Sequence, residues 1–125
     1  MILLDTSGLI DALTGPKQSG PLLRRAIEQG ERILVPSVVL YEWLRGPRLG
    51  PELDAQEALF PMESAVPFGI AEATLASRLY KSIARRRGRE IEIAIAATAI
   101  SKGAPLWTLN PRDFSDLPGL LLFTP

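Results

Sequence analysis

Asp5 closes the apolar run Met1-Ile2-Leu3-Leu4 and is followed at once by Thr6-Ser7-Gly8, in a chain with no histidine and no cysteine. Soft-metal sites, histidine general bases and cysteine nucleophiles are excluded by that composition, and carboxylate chemistry remains. A carboxylate presented where a first strand turns into a helix stands on the edge where open α/β sheets build their sites. Its natural partners are hard cations such as Mg²⁺ or Mn²⁺. Three further acids have suggestive surroundings. Glu42 stacks over Val38 and Val39, at the margin of an apolar helical face. Glu92 opens the most apolar segment of the chain, and Asp113 belongs to Asn110-Pro111-Arg112-Asp113.

Each acid also has a purely structural explanation. Asp is among the best helix N-caps, which alone accounts for Asp5. Glu42 has Arg45 three residues on, at ion-pairing distance along a helix. Glu92 meets the positive end of a helix dipole, and the segment around Asp113 suits a β-turn with proline at its second position. Convergence is what separates the two explanations, and it depends on the elements that carry these residues.

Pro and Gly fall between apolar segments rather than inside them, which marks alternating short strands and helices. Strands are expected at Ile2–Leu4, Ile33–Val35, Leu106–Leu109 and Leu120–Phe123, with a short edge strand at Ser64–Pro67. Helices are expected at Ser7–Leu13, stopped by Thr14-Gly15-Pro16, and from Leu22 to Gly30. Two more follow, at Ser37–Arg45 with Ser37 as N-cap and, more weakly, at Pro51–Phe60. A long helix from Ile70 to Arg87 would place Arg85-Arg86-Arg87 on the negative end of its dipole, with Gly88 as its stop. The segment Glu92–Lys102, apolar nearly all round, predicts a helix buried between layers and ended by Gly103.

Strands separated by helices imply parallel pairing with right-handed crossovers, hence a three-layer α/β/α sandwich with a mostly parallel central sheet. In that topology the ends of the first strand and of Leu106–Leu109 are neighbours where the strand order reverses, which brings Asp5, Glu92 and Asn110 or Asp113 together. Carboxylates gathered without basic partners repel one another, and a divalent cation removes the conflict.

Length and charge set the remaining bounds. The 125 residues suffice for one domain, residues 1–125. Apolar residues at 46% and charged ones at 22% describe an ordinary globular protein. No stretch is apolar enough to span a bilayer, and Met1-Ile2-Leu3-Leu4-Asp5 lacks a secretory n-region, so a cytoplasmic protein is expected. Fourteen basic residues balance fourteen acidic ones, so any nucleic-acid contact must be local or carried by a metal.

The blocks Ile2-Leu3-Leu4-Asp5-Thr6-Ser7-Gly8-Leu9-Ile10, Leu40-Tyr41-Glu42-Trp43-Leu44-Arg45-Gly46, Glu92-Ile93-Ala94-Ile95-Ala96-Ala97-Thr98-Ala99 and Leu106-Trp107-Thr108-Leu109-Asn110-Pro111-Arg112-Asp113-Phe114 resemble, in order and spacing, the four blocks of PIN domains. These are metal-dependent ribonucleases, and the resemblance is greatest to the toxin component of VapBC toxin–antitoxin systems. It implies that Asp5, Glu92 and Asp113 bind Mg²⁺, that Glu42 joins them directly or through water, and that Thr6 or Ser7 holds Asp5 or a substrate phosphate. Asn110 would orient an attacking water. The implied reaction is hydrolysis of an RNA phosphodiester by in-line attack of water, with a carboxylate taking the proton. Implied partners are a small DNA-binding, VapB-like antitoxin whose C-terminal segment wraps the toxin, and a second copy of the chain in a homodimer.

One position departs from the pattern. The third block usually begins with aspartate, and Glu92 is one methylene longer, which shifts its carboxylate and would weaken catalysis or favour Mn²⁺. A binding module with a PIN-like fold and reduced catalysis is therefore the rival expectation. A phosphatase with Asp5 as nucleophile lacks the second acid two residues later, where Ser7 stands. Arg85, Arg86, Arg87 and Arg89 either guide an RNA backbone or form a solvated basic run. Trp43 and Trp107 lie in strongly patterned elements and are expected in a core or interface rather than stacked on bases.

Overall fold

The computed structural model describes residues 1–14 and 19–125, so the expected stop at Gly15-Pro16 lies outside the described residues. Strand β1 (Ile2–Leu4) is buried at all three positions. Successive strand residues point to opposite faces, so burial of every one means that both faces of the sheet are covered. Helix α1 (Thr6–Leu13) follows without a loop, with Asp5 as its N-cap. Then come α2 (Ser19–Glu28), β2 (Ile33–Leu34), α3 (Ser37–Arg45), α4 (Gly50–Leu59), α5 (Ile70–Ser82), α6 (Glu90–Lys102) and β3 (Leu106–Trp107). Short 3₁₀ turns occupy Met62–Ser64 and Pro111–Phe114. Among the described residues no helix is long and apolar enough to cross a membrane.

The sheet order is β2-β1-β3 and every pairing is parallel, with Leu3 opposite Leu34 on one side and Leu106 on the other. Single parallel bridges extend it outward, Pro36 to Val66 beyond β2 and Leu106 to Leu122 beyond β3. The chain thus builds one half of the sheet, returns across β1 and builds the other. The order reverses between β1 and β3, and a ligand site at the C-terminal ends of these strands is the expected consequence. The α/β/α architecture read from the sequence stands.

Several boundaries differ. The strand expected at Ser64–Pro67 is reduced to Val66, because Ser64 belongs to the 3₁₀ turn and Pro67 has no N–H to donate. The strand expected over Leu106–Leu109 stops at Trp107, where side chains replace the ladder. Leu109 donates its N–H to Ser7 Oγ (3.1 Å) and Asn110 donates its own to Thr108 Oγ1 (3.0 Å). Of Leu120–Phe123, only Leu122 bridges. Pro36, not Ser37, is the N-cap of α3.

The largest difference is in α5, which ends at Ser82 instead of Arg87. Ser82 Oγ donates to the Leu79 carbonyl, and Ile83 adopts extended backbone to bury its side chain. Arg85, Arg86 and Arg87 therefore stand in a connecting loop, and the helix-dipole role expected for them does not apply. Conversely, α6 starts at Glu90, two residues before Glu92, with Arg89 at its N-cap.

The core joins β1 and β3 to Leu9, Val39, Trp43 and the central turns of α6, where Ile93 through Ala99 are all buried. Trp43 and Trp107 are within it, at 0% and 1% exposure, so base stacking by either is excluded. Gly103 ends α6 at φ 63°, a left-handed conformation that places two N–H bonds on the last carbonyls. Gly103→Ala is expected to cost about 1 kcal/mol, read as a lower urea midpoint with an unchanged denaturant slope.

Candidate active site

Asp5 has 4% exposure, immediately beyond β1, and its N–H is held by the Trp107 carbonyl of the neighbouring strand (3.1 Å). Its Oδ1 accepts from the Gly8 N–H at 2.9 Å and from Ser7 Oγ at 2.8 Å. The capping role and the site role are therefore one arrangement. The cap fixes a carboxylate that also faces a cleft. Ser7 extends the cradle across the switch point, because its Oγ also accepts from Leu109 and lies 3.4 Å from Thr108 Oγ1.

That cleft, of about 280 Å³, is lined by Asp5, Thr6, Ser7, Glu42, Glu92, Asn110 and Asp113, with Ile10, Ile95 and Phe114 as its apolar walls. All seven site residues expected from the sequence thus meet in one place, contributed by the end of β1, by the first turn of α1, by α3, by the first turn of α6 and by the segment after β3. Glu42 accepts from the Thr6 hydroxyl and from Arg45 Nη2 (3.2 Å). Glu92 accepts from Arg89 Nε at 3.3 Å. Each of these two glutamates is thus held by a neighbouring donor. Among the described residues no three acidic side chains are gathered closely enough to hold a metal ion as they stand.

Electrostatics distinguishes the acids. Burial pushes the Asp5 carboxyl above its ordinary value, opposed by the Thr108 hydroxyl, the Gly8 N–H and the Ser7 hydroxyl, while the charge of Glu42 pushes it further up. Burial also raises Glu92, against the lowering effect of Arg89, with Asp113 and Asp116 adding repulsion. Among the described residues Asp5 forms no ion pair with Lys or Arg. A buried carboxylate held by hydroxyls and an amide, with other carboxylates across a cleft, has the hard oxygen donors and the uncompensated charge that a divalent cation fits.

Three participants were not singled out by the sequence for these roles. Thr108 sits where an apolar strand ends, and nothing local marks its hydroxyl. Asp116 binds the Arg89 guanidinium through both oxygens, at 2.7 and 2.9 Å, a long-range pairing with no sequence signal. Arg89 precedes Glu92 by three residues, a helical ion-pair spacing that is legible in principle. Its contacts are internal, so of the two expectations for the basic run, an RNA guide or a solvated face, the solvated one does not describe Arg89.

The chain belongs to the PIN domain family, whose pattern it matches over residues 2–120. It is 38% identical over 126 residues to Ribonuclease VapC19 of Mycobacterium tuberculosis, an alignment covering 96% of this chain and 97% of that protein. To Ribonuclease VapC of Rickettsia bellii it is 29% identical, over 98% and 95% of the two chains. The fold is similar to that in DNA-bound VapBC from Salmonella typhimurium, with a TM-score of 0.81 at 22% identity, covering 98% of this chain and 96% of that one.

The raised Asp5 pKa has a stability consequence. The ionised carboxylate is less favourable folded than unfolded, so its cost is absent below the unfolded value of 3.8 and complete above the folded one. Asp5→Asn keeps an N-cap of similar quality. The substitution is expected to raise Tm in EDTA at about pH 7, with a gain that shrinks as pH falls toward about 4, measured by paired thermal melts.

Proposed function

We propose that the protein is a metal-dependent endoribonuclease, a VapC-like toxin that hydrolyses RNA phosphodiesters. The observation that carries this reading is the buried Asp5 at the switch point, in no ion pair with a basic side chain among the described residues, sharing one cleft with Glu42, Glu92 and Asp113. The ribonuclease names of its relatives support it. Asp5, Glu92 and Asp113 would hold Mg²⁺ or Mn²⁺, which when bound offsets the charge that develops on the phosphodiester. Ser7 and the Gly8 N–H keep the Asp5 carboxylate aimed into the cleft. Thr6, next to Asp5, holds Glu42, whose carboxylate would receive the proton of the attacking water. Asn110, at the rim, orients that water.

The acidic cleft alone repels a polyanion, and local basic groups must bring the substrate in. Arg85, Arg86 and Arg87 are exposed around an open groove of about 510 Å³, which Arg89 also lines. None of the three makes an ion pair among the described residues. Arg89, which lines this groove, donates to Glu92 of the cleft, so the two regions are near neighbours. Charge complementarity favours the RNA backbone as their ligand over a merely solvated run. Replacing all three by Gln is expected to weaken RNA binding and to flatten its salt dependence by about 0.7 per lost phosphate contact, read by fluorescence anisotropy over a salt series.

A VapB-like antitoxin is the partner this reading carries, supported by the solved neighbours, among them VapBC2 from Rickettsia felis and FitAB, both bound to DNA fragments. A homodimer and a cytoplasmic location belong to the same reading. A second reading, a PIN-like binding module with reduced catalysis, is favoured by Glu92, which is longer than the usual aspartate and is turned toward Arg89.

The deciding experiment is RNA cleavage by antitoxin-free protein with Mg²⁺ or Mn²⁺, with and without EDTA. Wild type is expected to cleave only with metal, Asp5→Asn to lose cleavage while remaining folded, and Glu92→Asp to preserve or increase it with Mg²⁺. Cleavage that is indifferent to EDTA, or equal in wild type and Asp5→Asn, contradicts the nuclease assignment. A wild type that binds RNA without cutting it establishes the second reading.

A further inference from the structure

Arg89 has 8% exposure on a chain whose other arginines near the cleft reach solvent, and all five of its N–H donors are engaged. Nη1 donates to the Arg85 carbonyl and to Asp116 Oδ2, both at 2.7 Å. Nη2 donates to the Asp113 carbonyl at 2.6 Å and to Asp116 Oδ1 at 2.9 Å. Nε donates to Glu92 Oε1 at 3.3 Å. The four bonds from the Nη atoms are short and fix the guanidinium; the longer fifth bond presents its edge to the glutamate. A single rigid cation thereby ties together the loop before α6, the third acid and the backbone of the fourth.

We propose that Arg89 is a positioning residue, anchored by Asp116, that sets the longer arm of Glu92 and the Asp113 segment so that both carboxylates address the same cation. This inference rests on the metal-dependent reading of the cleft given above. A glutamate on a first helical turn has one more rotatable bond than an aspartate and needs an external donor to restrict it. Arg89 supplies that donor from a fixed place and takes only Oε1 of Glu92, at 3.3 Å, leaving Oε2 for a cation, because its remaining N–H groups are committed elsewhere. Lysine cannot substitute for the planar fork that grips Asp116 while it reaches two carbonyls.

The experiment is calorimetric Mn²⁺ binding to the full, antitoxin-free chain, with RNA cleavage kinetics, for wild type, Arg89→Lys, Asp116→Asn and Glu92→Gln. Arg89→Lys and Asp116→Asn are each expected to weaken Mn²⁺ affinity by about 10- to 100-fold and to lower kcat while KM for RNA is unchanged. Asp116→Asn keeps the test decisive if Arg89→Lys does not fold, because the Asp116 side chain is 45% exposed. Folded variants with a lower Tm but wild-type Mn²⁺ affinity and kcat overturn the positioning role, since a brace for the fold alone gives that result. Glu92→Gln separates the two layers of the argument. Loss of Mn²⁺ affinity there, with Arg89→Lys and Asp116→Asn like wild type, overturns the role of Arg89 only; unchanged affinity in Glu92→Gln overturns Glu92 as a metal ligand and with it the positioning proposal.

Discussion

A carboxylate removed from water at the end of the central strand needs its charge stabilised, and Asp5 obtains this from an amide and hydroxyls rather than from a basic side chain. Much of the molecule follows from that constraint. The Gly8 N–H is available because α1 starts directly after β1, with no loop between them. Gly8 also suits the place sterically, since a Cβ there would lie 2.7 Å from Leu4 Cδ1. Ser7 reaches Asp5 and Leu109 together because β3 is the parallel neighbour of β1, so that their ends are adjacent. Had the sheet been ordered otherwise, the carboxylate would have lost part of its cradle and the cleft its fourth wall.

The other acids are held differently, and the difference bears on how the cleft works. Glu42 rests on Thr6 and Arg45, and Glu92 on Arg89, so each accepts from at least one side-chain donor. These contacts limit the repulsion among four carboxylates in a protein of zero formal net charge. The Glu42–Arg45 pair is open to solvent at its arginine end and stabilises little, so Glu42 can exchange that partner at small cost. Arg89 is held from several sides, and Glu92 can approach a cation only on terms set by that guanidinium. Of the four carboxylates, Asp5 is thus fixed by the fold, Glu42 keeps its Thr6 contact while its Arg45 partner is exchangeable, and Glu92 is restrained by Arg89.

The parallel sheet, the buried α6 and the meeting of Asp5, Glu42, Glu92 and Asp113 were legible because periodicity and strand-end position encode them locally. The end of α5 was not. Its apolar stripe continues in sequence past Ser82, while the chain leaves the helix to bury Ile83, an outcome decided by tertiary packing. The end of β3 differed in a related way, since the hydroxyls of Ser7 and Thr108 intercept N–H groups that an apolar run would have placed in the ladder. Asp116 was invisible for the same reason: its significance lies in a pairing across 27 residues.

The central claim is that a divalent cation binds at Asp5, between the ends of β1 and β3. Paramagnetic broadening of backbone amide signals by substoichiometric Mn²⁺ locates it directly. The account predicts that Thr6, Ser7, Gly8, Ile93 and Asn110 broaden first, while acids remote from the cleft, such as Glu28 and Glu57, keep sharp neighbours. Broadening centred on those remote acids, or none around Asp5 at Mn²⁺ levels that support cleavage, would contradict it.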